Sequence, residues 1–139
     1  MNNIYIMSAT RSAIGTFGGT LKDFSPVDLG TLVAKEAIER SDFQAEEISH
    51  AVFGNVIHTE PRDMYVSRVI ALQSGMKKDS AAFTVNRLCG SGLQAIVSAV
   101  QLIAMEDTEL ALAGGVEVMS SGTHVVQGLR WGSKMGDSK

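Results

Sequence analysis

Short runs rich in apolar and β-branched residues alternate along this chain with longer segments whose apolar positions recur every three or four residues. Ile4–Met7 predicts a first strand, followed by a glycine-rich loop over residues 10–24. A helix is then well signalled: Ser25 suits the cap, Pro26 the first helical position, and Asp28 sits three residues after the cap. Leu29, Leu32, Val33, Ala37 and Ile38 continue it to about Arg40. Ala51–Ile57 predicts a second strand, weakened by Gly54. Asp63–Ser74 predicts a helix with Val66, Val69 and Ile70 on one face, stopped by Gly75. Ala82–Val85 predicts a third strand, Gly92–Met105 a third helix, and Leu110–Val118 a fourth strand. The order βαβαβαβ implies an α/β fold with a mostly parallel sheet and crossover helices.

Two segments depart from a self-contained unit. In the third helix Leu93, Ala95, Ile96, Val97, Ala99, Val100, Leu102, Ile103, Ala104 and Met105 wrap almost the whole circumference. Such a helix is normally covered on all sides, whereas one sheet covers one. Residues 120–139, which hold Arg130, Trp131 and Met135 among glycines, read as the opening of an insertion.

Composition narrows the class. With 139 residues, 45% of them hydrophobic and 19% charged, the chain can bury a real core. The net charge is −3 and no basic cluster forms, which speaks against nucleic acid as a partner. The single cysteine excludes an internal disulfide or a multi-cysteine metal site and suits a reducing compartment. The N-terminus lacks the pattern of a secretory signal, and the apolar stretch around 93–105 is broken by Gln94, Ser98 and Gln101, so the expectation is a cytoplasmic protein without a membrane span.

The chemistry concentrates in residues 81–100. A strand runs into Asn86-Arg87-Leu88, then Cys89, and Gly90-Ser91-Gly92 opens a helix. The thiol is thereby expected at the carboxyl end of a parallel strand, where open α/β sheets bind ligands. It also sits at a helix N-terminus, where unpaired N–H groups favour an anion and so the nucleophilic thiolate. Gly90 and Gly92 leave the sulfur open to a bulky substrate, and the same N–H groups suit an oxyanion. The alternative is a small buried hydrophobe beside an apolar helix.

Residues 85–96, VNRLCGSGLQAI, resemble the nucleophile motif of the thiolases, the acyl-CoA C-acyltransferases. SATRSAIGTFGG (8–19), GNVI (54–57), AGGVEVMS (113–120) and RWGSKMGD (130–137) resemble thiolase segments in the same order, and TEPRDMYVSRVIAL (59–72) is most similar to β-ketothiolases of short 3-ketoacyl-CoAs. The resemblance implies a thiolase half-domain over residues 1–119, lacking its last strand and helix, followed by the start of a loop insertion over 120–139. It implies that Cys89 attacks an acyl-CoA thioester and holds the acyl group, with its own backbone N–H in an oxyanion hole. Coenzyme A, or the enolate of acetyl-CoA, then accepts that group. Coenzyme A is thus a substrate and no cofactor is permanently bound, no metal is used, and the full-length protein is expected to be a homo-oligomer, a dimer or a tetramer.

One departure from the family is decisive. Thiolases also use a histidine in a Gly-His-Pro segment, a second cysteine in a glycine-rich segment, and an asparagine in an Asn-Glu-Ala-Phe-like segment, and none of the three occurs here. His50, His58 and His124 match no catalytic position and share no metal-ligand spacing. Little or no turnover is therefore expected of this chain alone. Gly114 and Gly115 read as a bulge or a close backbone approach. Glu117 reads as a subunit-interface partner or a solvated carboxylate, Arg11 and Arg62 as interface or exposed arginines, and Trp131 and Met135 as packing residues. Two rival readings stay open: a ketoacyl-synthase-like condensing enzyme, and a non-catalytic subunit that needs a partner chain.

Overall fold

A computed structural model describes residues 3–132 and Met135. Three parallel strands form the sheet: β1 (His50–Gly54), β2 (Ala81–Val85) and β3 (Ala111–Gly115). β1 is central, with Gly54 level with Val85 on one side and Gly115 on the other. Three helices flank it: α1 (Pro26–Glu39), α2 (Val66–Gln73) and α3 (Ser91–Ala104). The parallel α/β architecture expected from the alternating pattern is therefore present.

The central strand is buried on both faces, so its side chains divide by parity. Ala51 and Phe53 enter a core with Val27, Ala34, Ile38, Val66, Ile70 and Leu112, which places α1 and α2 on that side. Gly54 belongs to the opposite face, against Ser91 and Gly92 of α3. There α3 buries a ridge of small residues, Ser91, Ala95 and Ala99, which lets its backbone approach the sheet closely. Its other face is uncovered in this chain: Leu93 is 66% exposed, and Ile96, Val97 and Val100 are exposed too. The all-round apolar pattern of this helix thus exceeds what one sheet buries.

Helix ends follow local chemistry. Ser25 Oγ accepts the Asp28 N–H at 3.1 Å and donates to the Asp28 carboxylate at 2.7 Å, the expected cap of α1. Gly75, at φ +98°, ends α2 as anticipated, with the Met76 N–H donating to the Ala71 carbonyl. The expected helix over 63–74 is split, however. Pro61–Tyr65 is a 3-10 turn and the α-helix begins only at Val66. The buried Asp63 explains it, because one carboxylate oxygen accepts the Thr59 N–H (2.7 Å), the Thr59 hydroxyl (2.9 Å) and the Glu60 N–H (3.1 Å), tying the turn to the preceding loop.

The largest correction concerns Ile4–Met7, which forms no strand. An apolar run becomes a strand only where neighbouring backbone satisfies its N–H and C=O groups, and no strand among the described residues pairs with it. The segment is fastened to α1 instead, through Ser8 Oγ to the Ala37 carbonyl (2.6 Å) and Thr10 Oγ1 to the Val33 carbonyl (3.0 Å). A cavity of about 1200 Å³ is lined by this segment, by β3 and by α1 and α3. Trp131, expected to pack, is 87% exposed, and Met135 is 98% exposed. The RWGSKMGD segment falls partly outside the described residues, which omit 133, 134 and 136–139.

Close packing of α3 on β1 gives a direct test. A Cβ added at Gly54 would lie 2.7 Å from the Ser91 carbonyl carbon and 2.9 Å from the Gly92 nitrogen, both backbone atoms that cannot swing away. Gly54→Ala is expected to destabilise the fold by about 1–3 kcal/mol, seen as a lower urea midpoint with an unchanged denaturant slope.

Candidate active site

β2 ends at Val85, and the chain then turns sharply over Asn86–Gly90 before α3 begins at Ser91. Leu88 adopts φ +49°, a left-handed conformation that costs a non-glycine residue about 1–2 kcal/mol. Several hydrogen bonds hold it there. Asn86 Oδ1 accepts the Leu88 N–H at 3.1 Å. The buried Ser91 hydroxyl accepts the Arg87 N–H at 2.8 Å and donates to the Leu88 carbonyl at 2.6 Å. The Gly90 and Ser91 N–H groups close the turn onto the Arg87 and Leu88 carbonyls.

This elbow lifts Cys89 to the surface at the carboxyl end of the sheet. The thiol is free and exposed in this chain. Gly92 has open space where a side chain would stand, which keeps the approach from the helix side clear. Of the N–H groups expected to suit an oxyanion, those of Gly90 and Ser91 are already paired within the turn.

Beneath the elbow the three strand ends are laced together by residues whose importance the sequence did not disclose. Asn55 is fully buried. Its backbone N–H donates to the Val85 carbonyl of β2 at 3.2 Å, and its Nδ2 donates to the Val116 carbonyl just past β3 at 2.9 Å. Glu117 completes the lacing. Its carboxylate accepts the Val56 N–H, the Ile57 N–H (3.3 Å) and Asn55 Nδ2 (3.3 Å). Glu117 is thus engaged by backbone of its own chain and is not a freely solvated carboxylate. Asn55 Oδ1 is buried with no hydrogen-bond partner among the described residues. The only signal in the sequence was the pair of segments GNVI and AGGVEVMS, which the fold brings side by side.

The remaining candidates lie elsewhere. Gly114 and Gly115 sit in a regular parallel ladder and mark close approaches: a Cβ would lie 2.6 Å from the Phe53 ring at Gly114 and 3.3 Å from the Gly92 Cα at Gly115. His50 starts β1, at the end of the sheet away from Cys89, while His58 and His124 are exposed. None of the three makes a hydrogen bond to Cys89, and no metal-binding group of three or more His, Cys, Asp or Glu residues occurs among the described residues. Arg62 pairs with Glu60 at 2.7 Å and Arg11 is exposed. Among the described residues no helix is long and apolar enough to cross a membrane.

The chain matches the family "Thiolase, N-terminal domain" over residues 4–139. It is 53% identical over 135 residues to the beta-ketothiolase BktB of Cupriavidus necator, covering 97% of this chain and 34% of that protein. The crystal structure of human mitochondrial 3-ketoacyl-CoA thiolase in complex with CoA superimposes with a TM-score of 0.94 at 36% identity, over 96% of this chain and 34% of that one. The Bacillus anthracis acetyl-CoA acetyltransferase structure gives a TM-score of 0.89 at 35% identity, again over 34% of its length. The chain therefore spans about a third of the length of these relatives. A match that runs through the sheet, the elbow and the laced strand ends leaves one assignment: this chain belongs to the thiolase family, in the part that forms its N-terminal domain.

Proposed function

We propose that this chain supplies the nucleophile of a β-ketothiolase-type acyl-CoA C-acyltransferase acting on short 3-ketoacyl-CoAs. The observation that carries the reading is the exposed Cys89 thiol, raised on a braced turn at the carboxyl end of the sheet. In the synthetic direction the Cys89 sulfur attacks the thioester carbonyl of an acyl-CoA, and in the degradative direction the 3-keto carbonyl of a 3-ketoacyl-CoA; in both the attacked oxygen becomes an oxyanion stabilised by the Cys89 N–H. Collapse of the tetrahedral adduct expels the coenzyme A thiolate in the synthetic direction, or the acetyl-CoA enolate in the degradative one. An S-acyl cysteine remains, and the second substrate takes its acyl group as the sulfur leaves.

Coenzyme A is here substrate and product, with no permanently bound cofactor or metal. Residues 1–119 form the nucleophile-bearing half-domain and 120–139 the start of an insertion. The working protein is a cytoplasmic homo-oligomer, dimeric or tetrameric, in which further residues of the full-length enzyme move the protons. Support comes from the relative named beta-ketothiolase and from the uncovered apolar face of α3.

Two outcomes follow. Incubation with acetyl-CoA is expected to add one acetyl group to the chain, located at Cys89 by peptide mass mapping, and Cys89→Ser is expected to abolish it. Steady-state thiolysis of acetoacetyl-CoA by this chain alone is expected to be at background, because the chain has one cysteine and no histidine hydrogen-bonded to it. Sustained turnover would show that the present residues suffice.

A further inference from the structure

The lacing of the strand ends has a role beyond holding the sheet together. We propose that Asn55 and Glu117 are positioning residues for Cys89, setting the height and direction of the elbow through the glycine floor beneath it. The proposal rests on reading Cys89 as the nucleophile.

The contacts form a continuous path. Glu117 grips the backbone at Val56 and Ile57, and Asn55 ties the end of β1 to Val85 on one side and Val116 on the other. Val85 is the last residue of β2 before the elbow, so this bond fixes where the elbow starts. Gly54, next to Asn55, lies against Ser91 and Gly92, and Gly115, two residues before Glu117, lies against Gly92. Ser91 in turn holds Arg87 and Leu88. A movement of the strand ends by a few tenths of an ångström therefore has no slack to absorb it and shifts the first turn of α3 with its thiol. Asn55 Oδ1 reinforces the argument. A buried acceptor without a partner is unfavourable, so an asparagine at this position is not explained by packing alone, whereas its two donor groups account for it.

The test is the rate of Cys89 alkylation by iodoacetamide across pH in the 139-residue chain, a readout that needs no turnover. Glu117→Ala is expected to slow alkylation at neutral pH roughly two- to fivefold, as the sulfur loses its alignment with the N-terminus of α3. The sign is diagnostic. Deleting an anion that acted only through space would speed alkylation instead. Arg87, the charged side chain of the elbow, is the same in all variants. Glu117→Gln keeps one acceptor oxygen and is expected to recover part of the rate. Ile70→Val, a core change under α2, controls for lost stability and is expected to leave the profile in place. Far-ultraviolet circular dichroism establishes that each variant is folded.

A Glu117→Ala profile that coincides with the unmodified chain, or that Ile70→Val reproduces, overturns the positioning role. If the unmodified chain is itself unreactive towards both iodoacetamide and acetyl-CoA, the nucleophile reading fails instead.

Discussion

The structure depends on one contact: the first turn of α3 resting directly on the backbone of β1 and β3. Gly54 and Gly115 make it possible, because a Cβ at either would collide with or crowd the helix backbone. The buried ridge Ser91, Ala95 and Ala99 extends the same closeness along the helix. A helix seated this low projects its N-terminus over the strand ends, and the chain arriving from β2 must climb steeply to reach it. The left-handed Leu88 and the exposed Cys89 are consequences of that climb.

A thiol in this position has two requirements that pull against each other. It must be exposed to meet a thioester, yet fixed well enough that the attacking orbital and the nearby amides keep their alignment. The surroundings reconcile them by separating the jobs. Cys89 itself is free, while Asn86 and Ser91 on either side bind backbone and hold the turn. Beneath them Asn55 and Glu117 bind strand ends to one another. Polar side chains here work on backbone, which does not change rotamer.

Elements whose cause is local were legible in the sequence. The Ser25 cap, the Gly75 stop, the strand over 82–85 and the first half of the strand expected over 51–57, which ends at Gly54, follow from neighbouring residues and periodicity, and so did the position of Cys89 between a strand and a glycine-rich helix start. Elements whose cause lies far along the chain were not. Ile4–Met7 has the composition of a strand, yet a strand is a relation between segments and no partner stands beside it. Glu117 acts on residues about sixty positions earlier, so no window around it contains the reason for a carboxylate. Leu88 is a separate case, since left-handed backbone is usually signalled by glycine or asparagine, and here hydrogen bonds with Asn86 and Ser91 hold a leucine in it.

The unpaired Ile4–Met7 run bears on how such a chain acquires its shape during synthesis. β1, α2 and β2 occupy residues 50–85 and interact over short sequence separations, so they can assemble as soon as they emerge. The leading segment meanwhile is fastened by little more than two hydroxyl groups to the side of α1. Short-range contacts thus favour assembly outward from this centre, and the apolar run over residues 4–7 takes its place only once α1 is there to hold the residues that follow it.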